Sequence, residues 1–154
     1  MEDARAAGAF RLHDRHLDVG DLGPTRTADG GDVTSTADET AHDDCLFCGI
    51  ASGATPADIV ADDDLALAFR DVNAQAPVHV LVIPRRHSPT LPELADDDPE
   101  SALAVLRMAR AVALAEGLGP GYRLVCNNGA AAQQTVFHAH LHVLGGRDLT
   151  WPPG

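Results

Sequence analysis

Lysine is missing from this 154-residue chain: all eleven basic residues are arginine, against twenty-three acidic ones, for a formal net charge of −12. So large a shortage of positive charge excludes a protein built to follow a phosphate backbone, which needs a basic footprint. It does not exclude a small nucleotide, because one pocket can be locally positive in an acidic protein. Cysteine is scarce too. Cys45, Cys48 and Cys126 are an odd number and too few for a disulfide scaffold. No stretch approaches a membrane-spanning apolar run, so no transmembrane helix and no membrane partner are expected. The N-terminus lacks the basic-then-apolar pattern of a secretory leader, and the expectation is a cytoplasmic location.

What is present divides the chain in two. Residues 1–44 carry Gly, Thr and Asp throughout, few large apolar side chains, and neither helical nor strand periodicity. They read as a disordered acidic extension, and His13, His16 and His42 go with it. Residues 45–154 hold nearly all the hydrophobic patterning and form one domain of ordinary size.

Within that domain "DDCLFCGIASG" predicts a short helix around the second cysteine. "ADIVADDD" and "LALAFRDV" read as two strands joined by an acidic turn, and "PVHVLVIP" as a third strand closed by Pro84. "DPESALAVLRMARAVALAEGLG" is the one long helix: Asp98 can cap it, Pro99 suits its first turn, and Gly117 or Gly119 ends it. "GYRLVCN" and "VFHAHLHVLGG" supply two more strands. The order indicates an α+β domain on an antiparallel sheet of about five strands, with one long helix and a short N-terminal one. Between Ala102 and Ala115 only Arg107 and Arg110 are charged. A helix apolar almost all round is buried on two sides, which in a small domain predicts a homodimer; the alternative is an alanine-rich composition with no such meaning.

Three of the eight histidines stand at alternate positions in "TVFHAHLHVLGG". In a strand, His138, His140 and His142 would share one face, with Phe137, Ala139, Leu141 and Val143 turned to the core. At about 6.5–7 Å between same-face neighbours, three imidazoles cannot readily share one metal ion, but they can line a cleft. "CLFC" alone is a moderate zinc signal that needs two more ligands.

The run "HAHLHVL" is similar to the signature of the histidine-triad (HIT) proteins. "CLFCGIASGATPADIVADDDLALAFRDVNAQAPVHVLVIPRRH" resembles the first half of a HIT domain and "GYRLVCNNG…QQTVFHAHLHVLGGRDLTWPPG" its second half, so the resemblance covers 45–154. The closing "WPPG" resembles the Hint branch of adenosine phosphoramidases. The HIT fold is implied, and with it cleavage of the P–N bond of adenosine 5′-phosphoramidates through a nucleotidyl-histidine intermediate. The resemblance makes His140 the nucleophile, His142 a donor to the phosphate, and Thr135 a hydroxyl at the leaving amine. It carries the ribose contact onto Asp71 and the base pocket onto Val72, with Phe69 and Ile50 beside it. Asn127 and Gln134 match positions near the phosphate, and Trp151 a tail that reaches a partner subunit's site. It implies a structural zinc held by Cys45, Cys48, His87 and His138, where otherwise two reduced cysteines would stand, and gives His79 a buried supporting role.

One departure stands out: the loop before the triad reads "NNGAAAQQT", with Gln133 where the family pattern has glycine. If that position needs φ > 0, Gln133 is strained. Two rival functions remain at this level: a nucleotide-binding interaction protein without turnover, and a dinucleotide polyphosphate hydrolase or nucleotidyltransferase of the same family.

Overall fold

A computed structural model describes residues 10–11 and 44–153. The rest of the expected N-terminal extension, including His13, His16 and His42, lies outside the described residues. Phe10–Arg11 (β1) pairs in parallel with the edge of a sheet whose other five strands are antiparallel. These are Ile59–Asp62 (β2), Ala66–Arg70 (β3), Val78–Pro84 (β4), Arg123–Val125 (β5) and Leu141–Gly145 (β6), in spatial order β1-β2-β3-β4-β6-β5. The β2–β3 turn closes on Asp63, whose Oδ1 accepts from the amides of Leu65 and Ala66 at 2.8 and 2.7 Å; a short acidic side chain is suited to that role.

Among the described residues three α-helices accompany the sheet: Leu46–Ser52 (α1), Leu91–Asp97 (α2) and Pro99–Ala115 (α3). Asp98 caps α3, its carboxylate accepting from the Ser101 amide at 3.1 Å and the Ser101 hydroxyl at 2.7 Å. The Ser101 hydroxyl, with the Ser101 amide behind it, holds the Asp98 carboxyl below the usual range. Gly117, at φ +76°, ends the helix in the left-handed conformation that glycine adopts without strain. The short α2 was not expected from sequence.

Strand alternation sorts the side chains onto two faces. Ala66 and Ala68 of β3, Val80 and Val82 of β4, and Leu141 and Val143 of β6 meet Val105, Met108, Ala109 and Val112 of α3 in the main core. The alanines let the helix lie close to the sheet. Leu67, Phe69, Leu81 and Ile83 point the other way and pack against Phe47 and Ile50 of α1. The long helix leaves Leu103, Leu106 and Leu114 about half exposed on its outer side.

The final strand is shorter than expected. It starts at Leu141, so His138 and His140 sit on irregular backbone and only His142 is in the strand. Phe137, expected in the core, is 54 % exposed, because the alternation that would have buried it does not extend that far.

Candidate functional site

On the α1 side of the sheet a cleft of about 630 Å³ opens. Phe47, Ile50, Phe69, Val72 and Leu81 are among its apolar walls, and Asp71, Thr135, His140 and His142 are among its polar groups, with Thr55, Asp58 and Arg70. Arg85, just past β4, fixes α1 over this face: its guanidinium donates to Ala51 O at 2.8 Å, to Asp63 O at 2.6 Å and to Asp62 Oδ2 at 3.0 Å.

The hydrogen bonds decide where the imidazole protons lie. His140 Nδ1 stands 2.7 Å from the His138 carbonyl oxygen, which only accepts. In the neutral ring Nδ1 therefore carries the proton and Nε2 keeps its lone pair. The argument for His142 begins two residues further away. The Gln75 main-chain amide donates to His79 Nδ1 at 3.1 Å, so the proton of neutral His79 is on Nε2. That Nε2–H donates to His142 Nδ1 at 2.8 Å, with Asp71 Oδ2 a second acceptor at 3.3 Å. His142 must then carry its own proton on Nε2, a buried atom with no partner among the described residues.

Burial holds His79 below its usual range and outweighs the pull of Asp71. The Asp71 contact is thus a hydrogen bond to a neutral ring rather than an ion pair. Burial, with the neighbouring His140 and His79, lowers His142 to about 4. Ligand atoms of Asp71, His79 and His142 lie close enough to suggest a metal triad, but the Gln75 amide takes the lone pair of His79 Nδ1 and leaves Nε2 protonated, so His79 cannot ligate there.

A second cluster lies behind the first histidine. One ligand atom from each of Cys45, Cys48, His87 and His138 lies within 4.8 Å of the others. His138 Nδ1 is 3.5 Å from both Sγ atoms, and His87 Nδ1 is 3.3 Å from Cys48 Sγ. His138 donates through Nε2 to Pro84 O at 3.0 Å, which frees the Nδ1 lone pair toward the sulfurs. Burial, helped by Cys45, pushes the Cys48 thiol up to about 12; two thiolates side by side would need a cation between them.

Other residues singled out from sequence are placed differently. Gln134 is buried and spent within its loop: Oε1 accepts from Gly129 N at 2.8 Å, and Nε2 donates to Pro89 O at 2.7 Å and Val136 O at 3.1 Å. Its side chain thus clamps the loop to the segment that carries Pro89. Gln133 adopts φ +65°, the only positive φ at a non-glycine among the described residues. The amides of Ala132, Gln133 and Gln134 all donate inside the same loop. Asn127 follows β5 and does not line the cleft, nor does Trp151, which is 83 % exposed. The tail is held by Arg123, which donates to Thr150 O at 2.7 Å.

Sequence reasoning missed Phe47. It lies between the two cysteines and meets His140 edge-on, with ring centroids 5.3 Å apart and planes at 87°. It also missed Arg85 and the Gln75 amide. For Phe47, helical spacing from Ile50 was the available signal; a main-chain donor such as Gln75 leaves none.

The family model described as "HIT domain" matches residues 52–149. An uncharacterized HIT-like protein of Synechocystis is 51 % identical over 112 residues, 73 % of this chain and 98 % of that protein. The crystal structure of a HIT family hydrolase from Legionella pneumophila superposes with a TM-score of 0.68 at 51 % identity, covering 71 % of this chain and 99 % of that one. A HIT family hydrolase from Clostridium thermocellum gives 0.67 at 39 %, covering 70 % and 95 %. With the family model matched over most of its length and relatives about half identical to it, the chain belongs to the HIT domain family.

Proposed function

We propose that the protein hydrolyses the P–N bond of adenosine 5′-phosphoramidates, with His140 as nucleophile. The observation that carries this reading is the complementary pair of tautomers at the cleft: a lone pair on His140 Nε2 and a donor on His142 Nε2 that has no partner among the described residues. In the proposed reaction His140 Nε2 bonds to phosphorus and the P–N bond breaks. The nitrogen leaves as the free amine with a proton taken from solvent, Thr135 hydrogen-bonding to it. Water then cleaves the nucleotidyl-histidine, releasing AMP and restoring the ring. His142 Nε2–H, neutral at pH 7, donates to a phosphoryl oxygen as its charge grows. Asp71 would take the ribose hydroxyls, and Val72, Phe69, Ile50 and Phe47 the base.

Zinc fits the second cluster. Tetrahedral zinc with Zn–S near 2.3 Å and Zn–N near 2.0–2.1 Å places sulfur and nitrogen ligands about 3.6 Å apart. The sulfur–nitrogen distances of 3.3–3.5 Å agree. Cys45, Cys48, His87 and His138 would hold it as a closed structural site, away from the reacting phosphorus. The half-exposed leucines of α3 would be covered in a homodimer, whose second subunit would receive Trp151. Three cysteines outside any disulfide suit a reducing compartment, the cytoplasm.

One observation favours a second reading, nucleotide binding without turnover: the amides of Ala132, Gln133 and Gln134 are engaged inside their own loop. Turnover of adenosine 5′-phosphoramidate separates the two. Wild type should turn over, and His140→Ala should lose about a thousandfold or more in kcat. A folded, AMP-binding wild type with no turnover would leave the binding reading standing.

A further inference from the structure

His138 belongs to both centres at once. Its ring Nδ1 faces Cys45 and Cys48, while its carbonyl accepts the Nδ1–H of His140 at 2.7 Å. The ring is fully buried and its other nitrogen donates to Pro84 O. The next amide, Ala139 N–H, donates to Ser88 O at 2.6 Å. Pro84 and Ser88 flank His87, so the segment that carries one ligand also pins the main chain that holds the nucleophile.

A second link runs through α1. Cys45 caps that helix and Cys48 lies in its first turn. Phe47, between them, meets His138 with ring centroids 6.0 Å apart and His140 at 5.3 Å. The His140 ring is thus held by the His138 carbonyl, the Phe47 edge and the His142 ring at 5.1 Å, and the first two of these belong to the Cys/His cluster or lie next to it. Displacements of about 1 Å at a nucleophile cost about 100-fold in rate.

We propose that metal ligation by Cys45, Cys48, His87 and His138 sets the orientation and tautomer of His140, so that these four are positioning residues for the nucleophile as well as a structural knot. The kinetic part of this rests on the phosphoramidate reading above; the structural part does not. His87 is the ligand to remove, because its ring meets His138 at 5.1 Å and it does not line the cleft.

The experiment follows zinc content, AMP affinity, the rate of nucleotidyl-His140 formation and the ¹⁵N-edited signal of the His140 Nδ1–H. In His87→Ala, zinc content should fall and the His140 signal should broaden or vanish. Nucleotidylation should slow about tenfold or more while AMP affinity changes far less, and added zinc with imidazole should restore both signal and rate. Cadmium in the intact wild type perturbs the ligand distances without removing a side chain, and should shift the same His140 signal. A metal-free, folded His87→Ala with unaltered signal and rate overturns the proposal. So does a cadmium form whose His140 signal does not move, even if His87→Ala fails to fold, and so does a wild type that takes up no zinc. A zinc-loaded wild type without turnover sinks the phosphoramidate reading alone, and the His140 signal then decides this one.

Discussion

The two faces of the sheet come from the same strands and do different work. Toward α3, β4 presents Val80 and Val82, and toward the cleft it presents His79, Leu81 and Ile83. On β6 the split repeats: Val143 is core and His142 faces the cleft. The α3 side is filled by aliphatic side chains, with Tyr122 and Cys126 only at its partly buried margin, whereas the cleft side carries the imidazoles and the phenylalanine rings. A period of two lets a seven-residue strand serve packing and chemistry together without trading one against the other.

Substitutions on each side sharpen this division. Met108→Ala, deep on the α3 side, should lose about 2–5 kcal/mol of stability, read by denaturant melts, while kcat per folded molecule stays unchanged. His79→Leu, on the cleft side, should lower kcat about 100-fold with AMP binding kept, and ¹⁵N spectra should show His142 losing its fixed tautomer. A changed KM with unchanged kcat would put His79 in the base of the binding site instead. Acid should act through the cleft side. The unfolded chain protonates His142 near 6.5 and the folded one only near 4, so its contribution to stability is lost as pH falls across that window and is constant above it. His142→Gln should flatten that part of the stability–pH curve. The smallest effect belongs to neither face: Gln133→Gly should stabilise by about 1 kcal/mol by relieving its positive φ.

The long helix was legible because Asp98, Pro99 and Gly117 mark its ends by known backbone chemistry. The strands were legible from β-branched runs. The short α2 was not, although Thr90 and Glu93 spell a capping box: the Thr90 hydroxyl accepts from the Glu93 amide at 3.3 Å and donates to its carboxylate at 2.7 Å. Seven residues carry too little periodicity to announce themselves. The triad's alternation was legible as spacing, but not that two of its histidines lie outside the strand, since only tertiary contacts to Pro84 and Ser88 hold them there. The approach of Cys45 and Cys48 to His87 and His138 was carried by family resemblance and not by spacing. The contact between His79 and His142 is diagonal across two strands, with Leu81 rather than His79 directly opposite His142, and register of that kind cannot be read from one strand alone.

The proton arrangement in the cleft starts from the Gln75 main-chain N–H. Every residue except proline supplies that group, so nineteen of the twenty amino acids at position 75 would preserve the tautomer at His142. Position 75 therefore serves the cleft through its backbone and not through its side-chain identity. The first link of the relay that orients the His142 donor is thus written in the main chain, and only its second, His79, in a side chain.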